Sequence, residues 1–94
     1  MYYVYLLRST KQSNKIYVGF TADLARRLAQ HNNDLNQSTK TFRPWNMEVY
    51  AAFRNRYLAE KFEAYLKQGS GHAFAKKHFF GEAGLGLRSP EGAE

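Results

Sequence analysis

The sequence predicts a small α+β domain in which a three-stranded antiparallel sheet is flanked by helices, in the order β-β-α-β-α-α. Two aromatic and β-branched runs near the start are joined by a short polar segment, which is typical of an antiparallel hairpin. Two later stretches repeat apolar residues at helical spacing, and a third strand-like run lies between them. The chain has 94 residues, too few for a second hydrophobic core, so one domain is expected.

The hairpin is predicted to place its first strand in the centre of the sheet. The strands are expected over Tyr2–Leu7 and Ile16–Phe20, with the polar segment Ser9–Lys15 between them. Alternate residues of a strand point to opposite faces. Because both sets are apolar in the first strand, both of its faces should be covered by other elements.

The remaining elements follow from capping and breaker residues. Thr21 is expected to cap a helix over Ala22–Asn32, with Asp23 in its first turn. Asn55 is expected to cap the second helix, and Gly69-Ser70-Gly71 to end it. The third strand, second helix and third helix are predicted over Trp45–Phe53, Tyr57–Gln68 and His72–Phe80. The acidic, glycine-rich segment 81–94 is expected to be a flexible tail outside a domain of residues 1–80.

Composition excludes several classes of protein. The chain has no cysteine, which rules out disulfides, zinc–thiolate sites and thiol catalysis. No run approaches a membrane span and the N-terminus lacks a signal-peptide pattern, so we expect no membrane association and a cytoplasmic location. His72 and His78 are badly spaced for one helix face and His31 is isolated, which disfavours a zinc site. The sequence does not predict the oligomeric state.

The charge distribution favours a polyanionic partner. The net charge is +6, and residues 1–80 alone carry 13 basic and five acidic side chains together with all 15 aromatic residues. A compact basic and aromatic domain is typical of nucleic-acid binding. A basic domain without such a partner is the alternative, and charge alone does not choose between the two.

Arg27 occupies an unexpected position on the first predicted helix. Leu24 and Leu28 define its core-facing stripe, and Arg27 and His31 continue that stripe at helical spacing. A guanidinium on the buried side is costly unless it is paired or faces a cleft. Arg27 therefore either binds a phosphate or packs its stem on the sheet while its head reaches water.

Glu63 leaves a similar choice open on the second helix, where it lies at the edge of the apolar face. It either forms an ion pair with Lys67, four residues later, or acts as a single carboxylate ligand for Mg²⁺. Helical phase does not decide between these interpretations.

These residues fall into a pattern that resembles the GIY-YIG nuclease superfamily. Its two naming motifs correspond to residues 3–5 (YVY) and, after eleven intervening residues, 17–19 (YVG). Residues 17–31 look like the family's second strand and first helix, and residues 58–67 look like the helix that bears its metal-binding glutamate. Segments 38–45 and 65–74 resemble the small stand-alone bacterial branch, which is similar to the N-terminal nuclease domain of an excinuclease subunit. The first motif has Tyr3 in place of glycine, a change common in that branch.

The resemblance implies a metal-dependent endonuclease that hydrolyses phosphodiester bonds in DNA, with structured or damaged DNA as candidate substrates. Glu63 would hold Mg²⁺ or Mn²⁺. Arg27 would stabilise the charge that develops on the phosphoryl oxygens.

The resemblance also assigns roles to the motif residues. Tyr17 would be the general base, Tyr5 would assist it and His31 would be a supporting donor. Gly19 would let the strand end pass close to the nucleic acid. Further phosphate contacts are expected from Lys40, Arg43, Arg54, Arg56, Lys76 and Lys77.

Two competing functions follow from the same residues. A nucleic-acid-binding module of this fold with weak or no catalysis would need neither Glu63 nor a metal. A protein-interaction domain would instead predict weak nucleic-acid binding and an exposed apolar patch.

Overall fold

The computed structural model describes residues 1–33 and 40–79, and within them it has the predicted order of elements. The three strands are β1, β2 and β3, and the three α-helices are α1, α2 and α3; a short 3₁₀ helix, Lys40–Phe42, precedes β3. In chain order the bounds are β1 Tyr2–Ser9, β2 Ile16–Thr21, α1 Leu24–His31, β3 Trp45–Phe53, α2 Arg56–Lys67 and α3 Gly69–His78. The boundary predicted at residue 80 and the predicted tail, 81–94, lie outside the described residues. In the described ranges no helix has the length and apolarity needed to cross a membrane.

The sheet has the strand order β2-β1-β3, and both pairings are antiparallel. The predicted central position of β1 is confirmed. In this register Tyr5 of β1 lies opposite Gly19 on one side and Tyr50 on the other.

A β-bulge in β3 changes which residues face which side of the sheet. Leu6 pairs with Val49 and Leu7 pairs with Met47, so Glu48 is the extra residue. As a result, Met47 and Val49 pack on opposite faces although they are two residues apart.

Each face of the sheet has its own hydrophobic core. The aliphatic core lies under α2 and α3, and its buried members are Val4, Leu6, Val18, Ala59, Leu66 and Ala75. The aromatic core lies under α1, and its buried members are Tyr5, Leu7 and Trp45. Because both faces of β1 are covered, this strand reads as continuously apolar in the sequence.

The start of α1 differs from the prediction, whereas the cap of α2 agrees with it. Asp23, and not Thr21, is the N-cap of α1: its carboxylate accepts a hydrogen bond of 3.1 Å from the Arg26 backbone N–H. Thr21 remains in β2 and its hydroxyl accepts from the Asp23 N–H, so the helix begins at Leu24. The cap predicted at Asn55 is confirmed by its 3.1 Å bond from the Leu58 N–H.

The second helix ends within one residue of its predicted end, but the glycines that follow belong to the third helix and do not form a break. Gln68 separates α2 from α3, and α3 begins at Gly69 instead of His72. A Cβ at Gly71 would collide with the backbone of Tyr65. Gly71 therefore allows the two helices to approach closely, which is a packing role.

Ser9 also differs from its prediction as a turn residue, since it is the buried last residue of β1. Its hydroxyl donates to the Phe42 carbonyl and accepts from the backbone N–H groups of Lys11 and Gln12. These three bonds compensate for the burial of a polar side chain.

Candidate active site

The side chain of Tyr5 lies across Gly19, its partner on β2. A Cβ at Gly19 would collide with the hydroxyl end of the Tyr5 ring. Gly19 is buried, so the open approach to nucleic acid expected there is not what the structure shows. The missing side chain makes room for a phenol.

Tyr5 and His31 form a buried polar pair. The Tyr5 hydroxyl and His31 Nε2 are 2.8 Å apart, and the two residues are 1% and 0% exposed. Burial above all raises the pKa of Tyr5, helped by Tyr17 and Glu63 and opposed by Arg27. Burial, and then the charge of Arg27, lowers the pKa of His31. Both groups are therefore neutral at pH 7, and they share a hydrogen bond between uncharged partners.

Tyr17 completes an aromatic cluster with this pair. Its ring centroid lies 4.7 Å from that of His31 and 6.4 Å from that of Tyr5. Tyr17 is half-buried, whereas the other two residues are buried. Tyr17 is thus the member of the cluster that a substrate can reach, which fits the general base predicted there, while Tyr5 and His31 lie behind it.

Arg27 is brought to the same site by α1. It is half-buried whereas Arg26 is exposed, as the helical phase predicted. Its charge acts on both Tyr5 and His31. It also lines an open cleft of about 260 Å³, whose other lining residues are Thr21, Ala22, Asp23, Arg26 and Gln30. The two guanidinium groups outweigh the one carboxylate, that of Asp23, which is engaged as the helix cap, so the cleft suits a phosphate.

Glu63 acts on the cluster from α2. Its side chain is 22% exposed, and its Oε2 atom lies 3.1 Å from Lys67 Nζ, so the ion pair considered from the sequence is present. Its charge is also the smallest contribution to the raised pKa of Tyr5.

The donor set around Glu63 fits a metal that keeps most of its water. The described residues contain no cluster of three or more His, Cys, Asp or Glu side chains suited to a metal ion. A single carboxylate, which would leave the other coordination positions to water, matches Mg²⁺ or Mn²⁺ and does not match a structural zinc site.

The cations predicted to contact phosphate lie on several elements. Lys40, Arg54, Arg56, Lys76 and Lys77 are exposed, and Arg43 is half-buried. Arg56 is engaged within the chain, because its Nε donates to Glu60 Oε2 at 3.1 Å and its guanidinium lies 5.7 Å from the Phe20 ring centroid. Contacts of these six residues with nucleic acid stay predictions.

Two supporting residues were not found from the sequence. The Asn32 side chain donates to the Trp45 carbonyl at 3.1 Å and accepts from the Trp45 N–H. This clamp joins the end of α1, where His31 lies, to the start of β3. The Trp45 ring also lies 6.3 Å from that of Tyr17. The sequence signal was an asparagine just after a helical stripe, but its partner is thirteen residues away.

Comparison with known proteins agrees with the family resemblance found in the sequence. The model of the GIY-YIG catalytic domain matches residues 1–77. The chain is similar to the structure-specific endonuclease subunit SLX1 of Paracoccidioides brasiliensis (strain Pb03), with 44% identity over 68 residues, or 66% of this chain and 16% of the relative. It is 46% identical to the Cryptococcus neoformans protein of that name (strain JEC21) over 68 residues, or 66% of this chain and 14% of the relative.

A third relative extends the match. The SLX1 subunit of Candida dubliniensis is 38% identical over 89 residues, which is 87% of this chain and 30% of that protein. The chain therefore spans a minor part of the curated relatives it matches. These relatives are fungal, so they do not support the narrower expectation of a bacterial, excinuclease-like branch.

Proposed function

The chain belongs to the GIY-YIG catalytic domain family, and from that premise we propose that it is a divalent-metal-dependent endonuclease that hydrolyses phosphodiester bonds in structured DNA. The observation that carries the proposal is the Tyr5–His31–Tyr17 cluster, on which the charges of Arg27 and Glu63 act. A binding module requires no such arrangement. The choice of branched or otherwise structured DNA rests on the names of the SLX1 relatives, which describe them as subunits of a structure-specific endonuclease.

Glu63 is the residue that would hold the metal. A bound Mg²⁺ or Mn²⁺ would supply Lewis-acid polarisation of a phosphoryl oxygen. Lys67 would have to release the Glu63 carboxylate for this, and its exposed, flexible side chain makes that change inexpensive.

Tyr17, the reachable member of the cluster, would take the proton of the attacking water as a phenolate, the form that the positive charges of Arg27 and a bound metal would favour. Tyr5 and His31 act as positioning residues, because their shared hydrogen bond fixes the His31 ring against Tyr17. Arg27 would face the phosphoryl oxygens from the adjoining cleft and stabilise their growing charge. The bond between phosphorus and the leaving oxygen then breaks as the bond to the water oxygen forms.

One observation favours the binding module as a second candidate. The 3.1 Å ion pair with Lys67 neutralises the Glu63 carboxylate, and a chain that never loads a metal would keep this pair. The two candidates differ in metal-dependent cleavage and share salt-sensitive binding.

Cleavage of a labelled panel tests the proposal. The panel comprises single-stranded, duplex, flap and four-way-junction DNA together with RNA, each with Mg²⁺, Mn²⁺ or EDTA. We expect cleavage of branched DNA that needs metal and falls by at least about 100-fold in Glu63→Gln, a loss typical of removing one group that stabilises the transition state.

The matched control is Glu60→Gln, an exposed carboxylate on the same helix that is also in an i,i+4 ion pair. It should cleave like the wild type. Metal-dependent cleavage that survives in Glu63→Gln would show that the metal ligand is wrongly assigned. Binding without cleavage under any metal would establish the binding module instead.

A further inference from the structure

The aromatic face of the sheet is only partly covered. The aromatic core packs α1 against the Leu7 end of β1, through Leu24 and Leu28. Toward the other end of β1 the same face carries Tyr3 and, across on β3, Tyr50. Tyr50 is 55% exposed, so a large part of its ring is open to solvent.

Tyr3 and Tyr50 form an ordered pair of rings, which we name the Tyr3–Tyr50 platform. Their centroids are 5.9 Å apart in an edge-to-face arrangement. This geometry is favourable for aromatic rings, and it leaves the exposed Tyr50 ring held from one side by half-buried Tyr3.

The platform is continuous with the candidate active site. Tyr50 is the cross-strand partner of Tyr5, and Tyr3 is two residues before Tyr5 on the same face. Side chains of directly opposed residues in an antiparallel pair lie about 5 Å apart at Cβ. On the other side, Tyr3 pairs with Thr21, which lines the cleft that contains Arg26 and Arg27.

The charge of the domain suits a polyanion. The described residues carry thirteen basic and four acidic side chains. Tyr50 packs on Tyr3, and Tyr3 is paired with Thr21 at the edge of the cleft. The exposed ring and the cleft together offer the two contacts that single-stranded nucleic acid needs, a stack for the base and a cation for the phosphate.

We propose that the Tyr3–Tyr50 platform stacks an unpaired nucleobase next to the phosphate held in the Arg27 cleft. This inference rests on the proposed nuclease function and adds its substrate class, DNA with an unpaired nucleotide beside the cleaved bond. A base within an intact duplex is already stacked on its neighbours and cannot offer its face to Tyr50. The platform therefore selects for single-stranded or branched DNA.

Binding in EDTA tests the platform without relying on cleavage. The probes are a short fluorescent oligothymidine, the same oligonucleotide with abasic positions, and a duplex of equal length. We expect Tyr50→Ala to bind oligothymidine about tenfold more weakly, while Tyr50→Phe binds like the wild type, since stacking needs the ring and not the hydroxyl. Abasic positions should weaken the wild type and not Tyr50→Ala.

Two controls separate stacking from charge and from misfolding. Tyr57→Ala removes a tyrosine that is 64% exposed on α2, away from the platform, and should leave binding unchanged. The dependence of affinity on salt should have the same slope in Tyr50→Ala and the wild type, because no phosphate contact is lost. Tyr50→Trp adds a reporter to a chain whose own tryptophan is buried, and its emission should fall when oligothymidine binds.

The outcomes distinguish the two proposals. Equal oligothymidine affinity in Tyr50→Ala and the wild type, or wild-type binding that ignores abasic positions, would overturn the platform. Such results would mean that this face binds a different partner, such as a protein, even if the chain still cuts branched DNA. Tyr50-dependent binding without metal-dependent cleavage would support the platform and overturn the nuclease.

Discussion

The two cores of this domain share one central strand and differ in composition. The buried members of the aliphatic core are small and branched apolar residues, such as Leu6, Val18 and Leu66, and half-buried aromatic rings pack around them. The aromatic core contains Tyr5 and Trp45 and closes over the buried His31. Burying polar rings is worthwhile only where their hydrogen bonds are satisfied. The comparison therefore indicates that the aliphatic face mainly supplies stability and carries α2 with Glu63, while the aromatic face holds the Tyr5–His31–Tyr17 cluster in place.

The largest effect should come from breaking the aliphatic core. Leu66→Ala truncates a completely buried side chain of α2. It should lower the free energy of unfolding by about 2–5 kcal/mol. Urea denaturation measures the loss. Where the variant is still folded, cleavage per folded molecule should be close to that of the wild type. A variant that is fully stable would show that this core contributes little.

A substitution in the candidate active site should have the opposite pattern, with a large loss of cleavage and little loss of stability. Arg27→Ala should reduce the single-turnover cleavage rate by about 10²–10³-fold, since it removes one group aimed at developing charge. Its urea midpoint should change little, because Arg27 is half-buried. Arg26→Ala, its exposed neighbour in the same cleft, is the matched control and should lose far less. Equal losses in both variants would mean that the cleft acts only through net charge.

The smallest expected effect is a dependence of stability on pH that comes from the aromatic core. The pKa of His31 is lowered from its ordinary value of 6.5 by burial, so the unfolded chain takes up a proton before the folded one does. Stability is therefore fully present above pH 6.5 and is lost as the pH falls, by at most about 1.4 kcal/mol per pH unit from this group.

Urea midpoints between pH 7.5 and pH 5 measure this dependence. His31→Gln should flatten it, and His72→Gln, which changes an exposed histidine on α3, should not. An unchanged slope in His31→Gln would contradict the assignment of the acid sensitivity to the aromatic core.

Local patterns in the sequence predicted much of the fold and part of the site. The order of elements follows from periodicity, and the position of Arg27 follows from helical phase. The start of α1 was missed because Thr21 and Asp23 are both good caps, and the choice depends on where β2 ends. Resemblance to a family pointed to Tyr5 and Tyr17, but the hydrogen bond of Tyr5 and the ring contacts of Tyr17 could be found only from the structure.

The features that were missed depend on contacts between distant residues. The Asn32–Trp45 clamp joins two elements across a segment of the chain. The placement of Tyr50 beside Tyr5 depends on the bulge at Glu48, which shifts the pairing of β3 by one residue. A one-residue shift moves every later side chain to the other face, and no local sequence pattern marks it here.

The contact between Tyr5 and Gly19 also has a consequence for how the hairpin finds its alignment. If β2 slipped by two residues, the same faces would be kept, but Tyr17 or Thr21 would lie opposite Tyr5. Either residue would place a side chain where the Tyr5 ring now lies over bare backbone. The contact between the Tyr5 ring and Gly19 thus favours a single register of the β1–β2 hairpin.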